Sequence, residues 1–336
     1  MASVTNHSRY LASHLDPARP GQSYAIMKKR PLGETGLLVG EIGLGTAGLG
    51  RAKHALPDDE ALFTLASALD AQASLVDTAP SYGEGRAMHL LRLALKGRRE
   101  QAQVCLKAGY HADGSSDYSA AGIRQSLESS LKALGTGHVE VLLLHNPPLA
   151  ALAANDAVWA ELAKLKQQGK LRAFGASLTS PDQLKAALDK TPAQVLQFPL
   201  NVFCQDNAVV LDAAFKKRVG VIINRPLDSG WLAGRYGAHH IFFDERSRWS
   251  GADKGRRAEL QALFEAIAMQ ATILPAQAAL QFVLSFPQVS CAIPGASAWQ
   301  QVISNLDASQ LRLDPAVIAK LKGLWEQKLK SSPLPL

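Results

Sequence analysis

Four side chains in this 336-residue chain have types and spacing suited to proton transfer. One apolar run ends in "SLVDTAPSYGEG" (74–85), where Asp77 precedes Tyr82 across a small-residue turn. Lys107 ends a second run, "QVCLK", and His145 ends a third, "EVLLLH". A phenol is a weak acid, with a pKa of roughly 10. A lysine cation beside it favours the phenolate and lowers that value. An aspartate paired with the lysine holds the ammonium in place. A histidine orients a carbonyl oxygen or extends the proton path. A phenol so placed can protonate an alkoxide as it forms. That chemistry is carbonyl reduction by hydride, or its reverse. No side chain supplies a hydride, so a nicotinamide cofactor is expected. One His and one Asp are too few ligands for a metal site. Taken singly, each residue also fits a plain structural role, as turn cap, snorkelling lysine, packed histidine or turn tyrosine.

These residues meet only if strands deliver them to one rim. The chain carries eight short, continuously apolar runs: 41–47, 73–77, 103–107, 140–145, 171–177, 194–200, 220–224 and 289–295. Each is too short for a helix, and such runs read as strands buried on both faces. Between them lie amphipathic stretches with helical spacing. "SAAGIRQSLESSLKALGTG", for example, opens at a Ser119 cap and closes at Gly135. Alternation of this kind implies a parallel sheet. Eight strands favour a closed (β/α)8 TIM barrel, an α/β fold, whose active sites lie at the carboxyl ends of the strands. The runner-up is an open doubly wound sheet. It wants a G-x-G-x-x-G turn leading into a helix. "GLGTAGLG" (43–50) is a near match with no helix directly behind it, so it reads as a strand end and flexible loop.

"KKRPLGETGLLVG" (28–40) reads as an N-terminal β-hairpin able to plug one barrel end. The long segment 228–255 after strand 7 carries Trp231, Tyr236, Phe242 and Phe243 and has the length of a ligand-covering loop. The domain reading is a weakly structured arm over 1–27 and a single barrel domain over 28–330.

Composition narrows the function classes. Hydrophobic residues make up 47%, enough for a large core. No apolar stretch reaches the roughly 18 residues of a membrane span, and the leader lacks a secretory apolar core. Cys105, Cys204 and Cys291 are too few and too scattered for a disulfide framework, which points to a reducing, cytoplasmic setting. The net charge of +7 comes from scattered residues and small clusters at 96–99, 216–218 and 254–257, read as solvated helix ends. A nucleic-acid partner would want a denser stripe. A mild positive balance suits an anionic small molecule such as a dinucleotide.

"VDTAPSYGEG", "CLKAGY", "SLESSLKALGTGHVEVLLLHN" and "AIPGASAWQQVISN" together resemble the signature segments of the aldo-keto reductase superfamily, in order, over about residues 28–307. The resemblance implies NAD(P)-dependent carbonyl–alcohol interconversion by a tetrad of Asp77, Tyr82, Lys107 and His145, with Tyr82 as general acid/base. It implies NADP(H) or NAD(H) held by Gly45, Thr46 and Asp77 near the first strand ends. Ser177 and Gln197 would follow in "FGASLTS" and "QFPLN", with Asn201 also matching. Arg225, Pro226, Leu227, Ser229 and Gly230 would form the loop over the pyrophosphate. Ile293, Gly295, Ser297, Gln301 and Asn305 would hold the adenosine end.

The chain departs from the family pattern at several points. Leu178 stands where Asn is common, and Leu200 replaces an aromatic. Ala87 and Met88 replace the Ser-Glu that opens the second helix, which removes a cap. Neutral Ser297 and Gln301 stand where NADPH-preferring members place a cation, so preference for the extra phosphate should fall unless Arg225 or Arg235 substitutes. The expected partner is a small-molecule carbonyl or sugar, not nucleic acid or a membrane. The alternatives are an aldose dehydrogenase forming a lactone and a cofactor-binding regulatory barrel with little turnover.

Overall fold

A computed structural model describes residues 27–50, 56–111, 113–153 and 156–335. The expected arm over 1–27 lies outside the described residues except for Met27, which is buried. Strands β1 (Lys29–Pro31) and β2 (Leu38–Gly40) pair antiparallel as the hairpin. Eight parallel strands follow: β3 (Leu44–Gly45), β4 (Leu75–Thr78), β5 (Gln103–Ala108), β6 (Val139–His145), β7 (Leu171–Ser177), β8 (Val195–Pro199), β9 (Gly220–Asn224) and β10 (Cys291–Ala292). They pair in sequence order. Parallel bridges Ile42–Ala292 and Gly45–Gly295 join the first of them to the last, as a (β/α)8 barrel requires.

The apolar runs are strands because both of their faces are buried. Val76, Val104, Leu142, Leu144, Phe174 and Leu196 point outward into one cluster with helix residues such as Leu65, Leu91, Leu127 and Leu162. The alternate residues Leu75, Cys105, Val141, Leu143, Ala173, Val195, Ile222 and Cys291 form a second cluster. Leu32, Leu37 and Val39 of the hairpin join that cluster, so the hairpin packs on the barrel's inner residues. The pleat has a period of two. The next inward position along β4, β5, β6, β8 and β9 is therefore Asp77, Lys107, His145, Gln197 and Asn224. The inward row turns from apolar to polar toward the carboxyl ends, and this change positions the site.

Several local expectations hold. Ser119 Oγ accepts from Gly122 N at 3.0 Å, and the helix Ala120–Leu134 ends at left-handed Gly135. The helix Arg86–Ala94 starts at left-handed Gly85 without a side-chain cap. Arg86 instead ties its start to the Leu56 carbonyl at 2.6 Å.

Two expectations fail. The 43–50 stretch is not a flexible loop after its strand end: a helical turn, Ala47–Gly50, forms within it, where the Thr46 carbonyl accepts from Gly50 N at 3.1 Å. The 254–257 cluster is not wholly solvated: Arg257, in the helix Gly251–Ala268, is fully buried against Asp228 and Trp249. No single described helix is long and apolar enough to cross a membrane.

Candidate active site

The site is built at the polar rim. Thr46 donates from N (3.0 Å) and Oγ1 (2.9 Å) to the Asp77 carbonyl, locking the end of β3 to β4. Beyond β4 the chain folds back through Gly83 (φ +60°), where an added Cβ would overlap the Gly50 carbonyl at 1.4 Å. Only glycine allows that approach, and it sets the preceding Tyr82 against the Ala47–Gly50 turn.

Lys107 and Asp77 form a buried ion pair, with Nζ donating to Oδ1. Lys107 Nζ also donates to the Tyr82 hydroxyl at 3.0 Å. Gln197 Nε2 donates to the other Asp77 oxygen at 2.8 Å. Ser177 Oγ (3.0 Å) and Asn224 Nδ2 (3.1 Å) then donate to Gln197 Oε1. His145 meets Tyr82 edge to face, with ring centroids 6.1 Å apart, and Tyr110 packs on its ring at 5.5 Å. Its backbone carbonyl accepts from the Tyr118 hydroxyl at 2.6 Å.

Electrostatics follow from burial and this pairing. Burial pulls the Lys107 ammonium down, but Asp77 and Tyr82 outweigh it and the lysine is held charged. Burial, with the Lys107 cation nearby, pushes His145 down to about 3, so the imidazole is neutral. Its Nδ1 is buried without a hydrogen-bond partner among the described residues. The expected lowering of the Tyr82 phenol is overturned. Burial raises its pKa by more than the Lys107 cation lowers it, and the Asp77 charge adds to the rise.

All four residues line one cavity of about 1320 Å³. Its wall continues past Gly45 and Ser177 to Arg225, Pro226, Leu227, Ser229 and Gly230, then to Ile293, Gly295, Ser297, Gln301 and Asn305. Two expected cofactor residues are not on that wall. Thr46 is buried in the strand junction, and Gln197 is fully buried, its amide consumed by Asp77, Ser177 and Asn224. Asn201 is likewise a scaffold residue, donating to the Arg225 carbonyl at 2.9 Å.

The lining carries groups suited to an anionic ligand. Arg225, Arg235 and Arg246 line the cavity, and the buried Asn224 Oδ1 has no hydrogen-bond partner among the described residues. The helix Trp299–Asp307 begins at the wall with no side-chain cap, leaving N–H groups suited to an anion. Sequence reasoning missed Asn224 and Arg246. Asn224 ends its strand as His145 does and Lys107 nearly does, so the same strand-end inspection would have found it. Arg246 sits in a loop without pattern. There it donates to the Tyr236 hydroxyl (2.7 Å) and the Ser229 carbonyl (3.0 Å).

Comparison with known proteins gives one family. The sequence model of the Aldo/keto reductase family matches residues 41–326. An L-galactose dehydrogenase of Arabidopsis thaliana is 27% identical over 314 residues, 88% of this chain and 94% of that protein. An NADH-specific methylglyoxal reductase of Escherichia coli is 25% identical over 331 residues, 89% and 99% of the two chains. The solved structure of a glycerol dehydrogenase from Gluconobacter oxydans superposes with a TM-score of 0.78 at 27% identity, covering 92% of this chain and 97% of that one.

Proposed function

Because this chain belongs to the Aldo/keto reductase family, an oxidoreductase family, we propose that it interconverts an aldehyde or ketone and its alcohol, with Tyr82 as general acid/base and residues 28–330 as one barrel unit. The observation that carries the reading is the Tyr82–Lys107–Asp77 chain opening on the 1320 Å³ cavity. A bound nicotinamide cofactor supplies the hydride chemistry.

The residues of this chain manage the proton. Neutral His145, edge to face with Tyr82 on the cavity wall, orients the substrate oxygen beside the Tyr82 hydroxyl. Tyr82 gives its proton to the oxygen as negative charge develops. Lys107, 3.0 Å from that hydroxyl, stabilises the phenolate left behind. Asp77, fixed by Gln197, keeps the ammonium in place. In the alcohol-oxidising direction Tyr82 takes the proton back. The phenol's raised pKa suits a donor that stays protonated until charge appears on substrate. Three buried free cysteines fit a reducing, cytoplasmic setting.

For cofactor choice, NADP(H) is the proposed partner. Arg235 Nη1 lies 3.3 Å from both Ser297 Oγ and Gln301 Oε1, the two neutral residues at the adenosine end. It brings to that end the cation those residues lack, able to meet a 2′-phosphate by charge-assisted hydrogen bonds. A second reading, oxidation of a sugar or polyol, is favoured by two of the relatives, named as an L-galactose dehydrogenase and a glycerol dehydrogenase.

The test is a tryptophan-fluorescence titration with NADPH and with NADH, followed by turnover on aldehydes and, in reverse, on aldoses. Tighter NADPH binding is expected, and Arg235→Ala should cut that preference about tenfold or more, the worth of a lost hydrogen bond to a charged group. Failure of both nucleotides to bind would overturn the reading.

A further inference from the structure

The segment that borders the cavity after β9 turns through three consecutive left-handed residues: Asp228 (φ +44°), Ser229 (+55°) and Gly230 (+103°). Ser229 and Gly230 line the cavity. At Gly230 an added Cβ would meet the Tyr236 ring at 2.8 Å. Side chains cost energy in this backbone region, of order 1–3 kcal/mol each, and persist there when their surroundings fix them. What fixes Asp228 is a buried arginine. Arg257 Nε donates to Asp228 Oδ2 at 3.1 Å, with Arg257 fully buried and Asp228 5% exposed. The guanidinium lies 4.1 Å over the Trp249 ring and donates from Nη2 to the Pro335 carbonyl at 2.5 Å.

A buried ion pair is a poor route to stability, because desolvation offsets the attraction, and an apolar pair of similar size often does as well. Fixing a backbone shape is a different task. The Asp228 side chain is the handle by which the helix Gly251–Ala268 holds the turn from inside, while Arg246 holds the Ser229 carbonyl at 3.0 Å. We propose that Arg257 is a positioning residue for cofactor binding: through Asp228 it locks the 228–230 turn so that Ser229 and Gly230 face the cavity. The inference rests on the cofactor reading above. It also couples the C-terminal segment at Pro335 to the cofactor loop through one side chain.

The test compares the parent with Asp228→Asn, Arg257→Met and the double variant Arg257→Met/Asp228→Leu, which removes both charges and keeps apolar volume. For each, the NADPH dissociation constant, Tm and the pH profile of kcat are measured. Both single variants should weaken NADPH about tenfold to a hundredfold, the scale of a small misplacement of binding groups. The pH profile of kcat at saturating cofactor should not move, since the tetrad is untouched. The double variant should recover Tm and remain weak for NADPH, separating position from stability. It decides the matter if a single variant fails to fold. Parent-like NADPH affinity in the folded double variant would overturn the inference while leaving the cofactor reading intact. Failure of the parent to bind NADPH would defeat that reading and this inference with it.

Discussion

Both ends of the barrel bury a carboxylate beside a cation, and the two ends use them differently. At the amino-terminal end Glu140, on β6, accepts from Val104 N at 2.6 Å, from Arg99 at 3.0 Å and from His138 at 3.1 Å. Glu41 is held there by Arg30, which also donates to the Leu284 and Val289 carbonyls. These oxygens are filled by backbone and guanidinium groups that tie elements together. At the carboxyl end the Asp77–Lys107 pair is more buried, yet the ammonium keeps one hydrogen bond for a hydroxyl on a cavity wall. Burial of charge does not mark a functional site. A charge whose partners lead to open space does.

That contrast can be broken by experiment. Lys107→Met removes the cation and leaves Asp77 buried and unpaired. It should cut kcat by about 10²–10⁴-fold and destabilise the fold by about 3–5 kcal/mol, read from steady-state kinetics and urea unfolding. Glu140→Gln at the other end should cost about 1–3 kcal/mol of stability by the same melt, the price of a disturbed buried polar group, and leave kcat unchanged. A matching loss of kcat there would erase the distinction between the ends.

The smallest effect is a slope. His145 has a folded-state pKa of about 3, below the roughly 6.5 of an unfolded histidine. The unfolded chain therefore binds the extra proton as pH falls below about 6.5. The stability tied to this group is complete above that pH and is lost progressively toward 3. His145→Gln should flatten the dependence of unfolding free energy on pH in that window, by at most about 1.4 kcal/mol per pH unit. An unchanged slope would mean that His145 titrates normally.

The fold was legible where burial is symmetric. β7 and β9 run 171–177 and 220–224, as the apolar runs indicate, because apart from exposed Arg172 and half-buried Asn224 their residues are buried. It was less legible at β3 and β10, two residues each, where hydrogen bonds made by glycine-rich and proline-containing backbone close the sheet and no side-chain pattern reports them. The meeting of Asp77, Tyr82, Lys107 and His145 on one cavity wall was readable because strand ends expose reactive residue types by position. Thr46 and Gln197 lie off the cavity wall, a placement illegible in the sequence, since residue type does not say whether a polar side chain faces a cavity or a neighbour's carbonyl or carboxylate. Arg257 reads as surface charge in sequence because its partner Asp228 lies 29 residues away in a segment without periodicity. The sign of the Tyr82 shift depends on burial, which the local sequence does not contain.

The most direct test of the central claim is Tyr82→Phe, assayed twice on the same preparation: NADPH affinity by tryptophan fluorescence, and single-turnover reduction of an aldehyde that the parent accepts. Removing one hydroxyl from the cavity wall should leave affinity near that of the parent and slow the chemical step by about 10²–10⁴-fold, the worth of a general acid. Parent-like turnover in Tyr82→Phe would contradict the account.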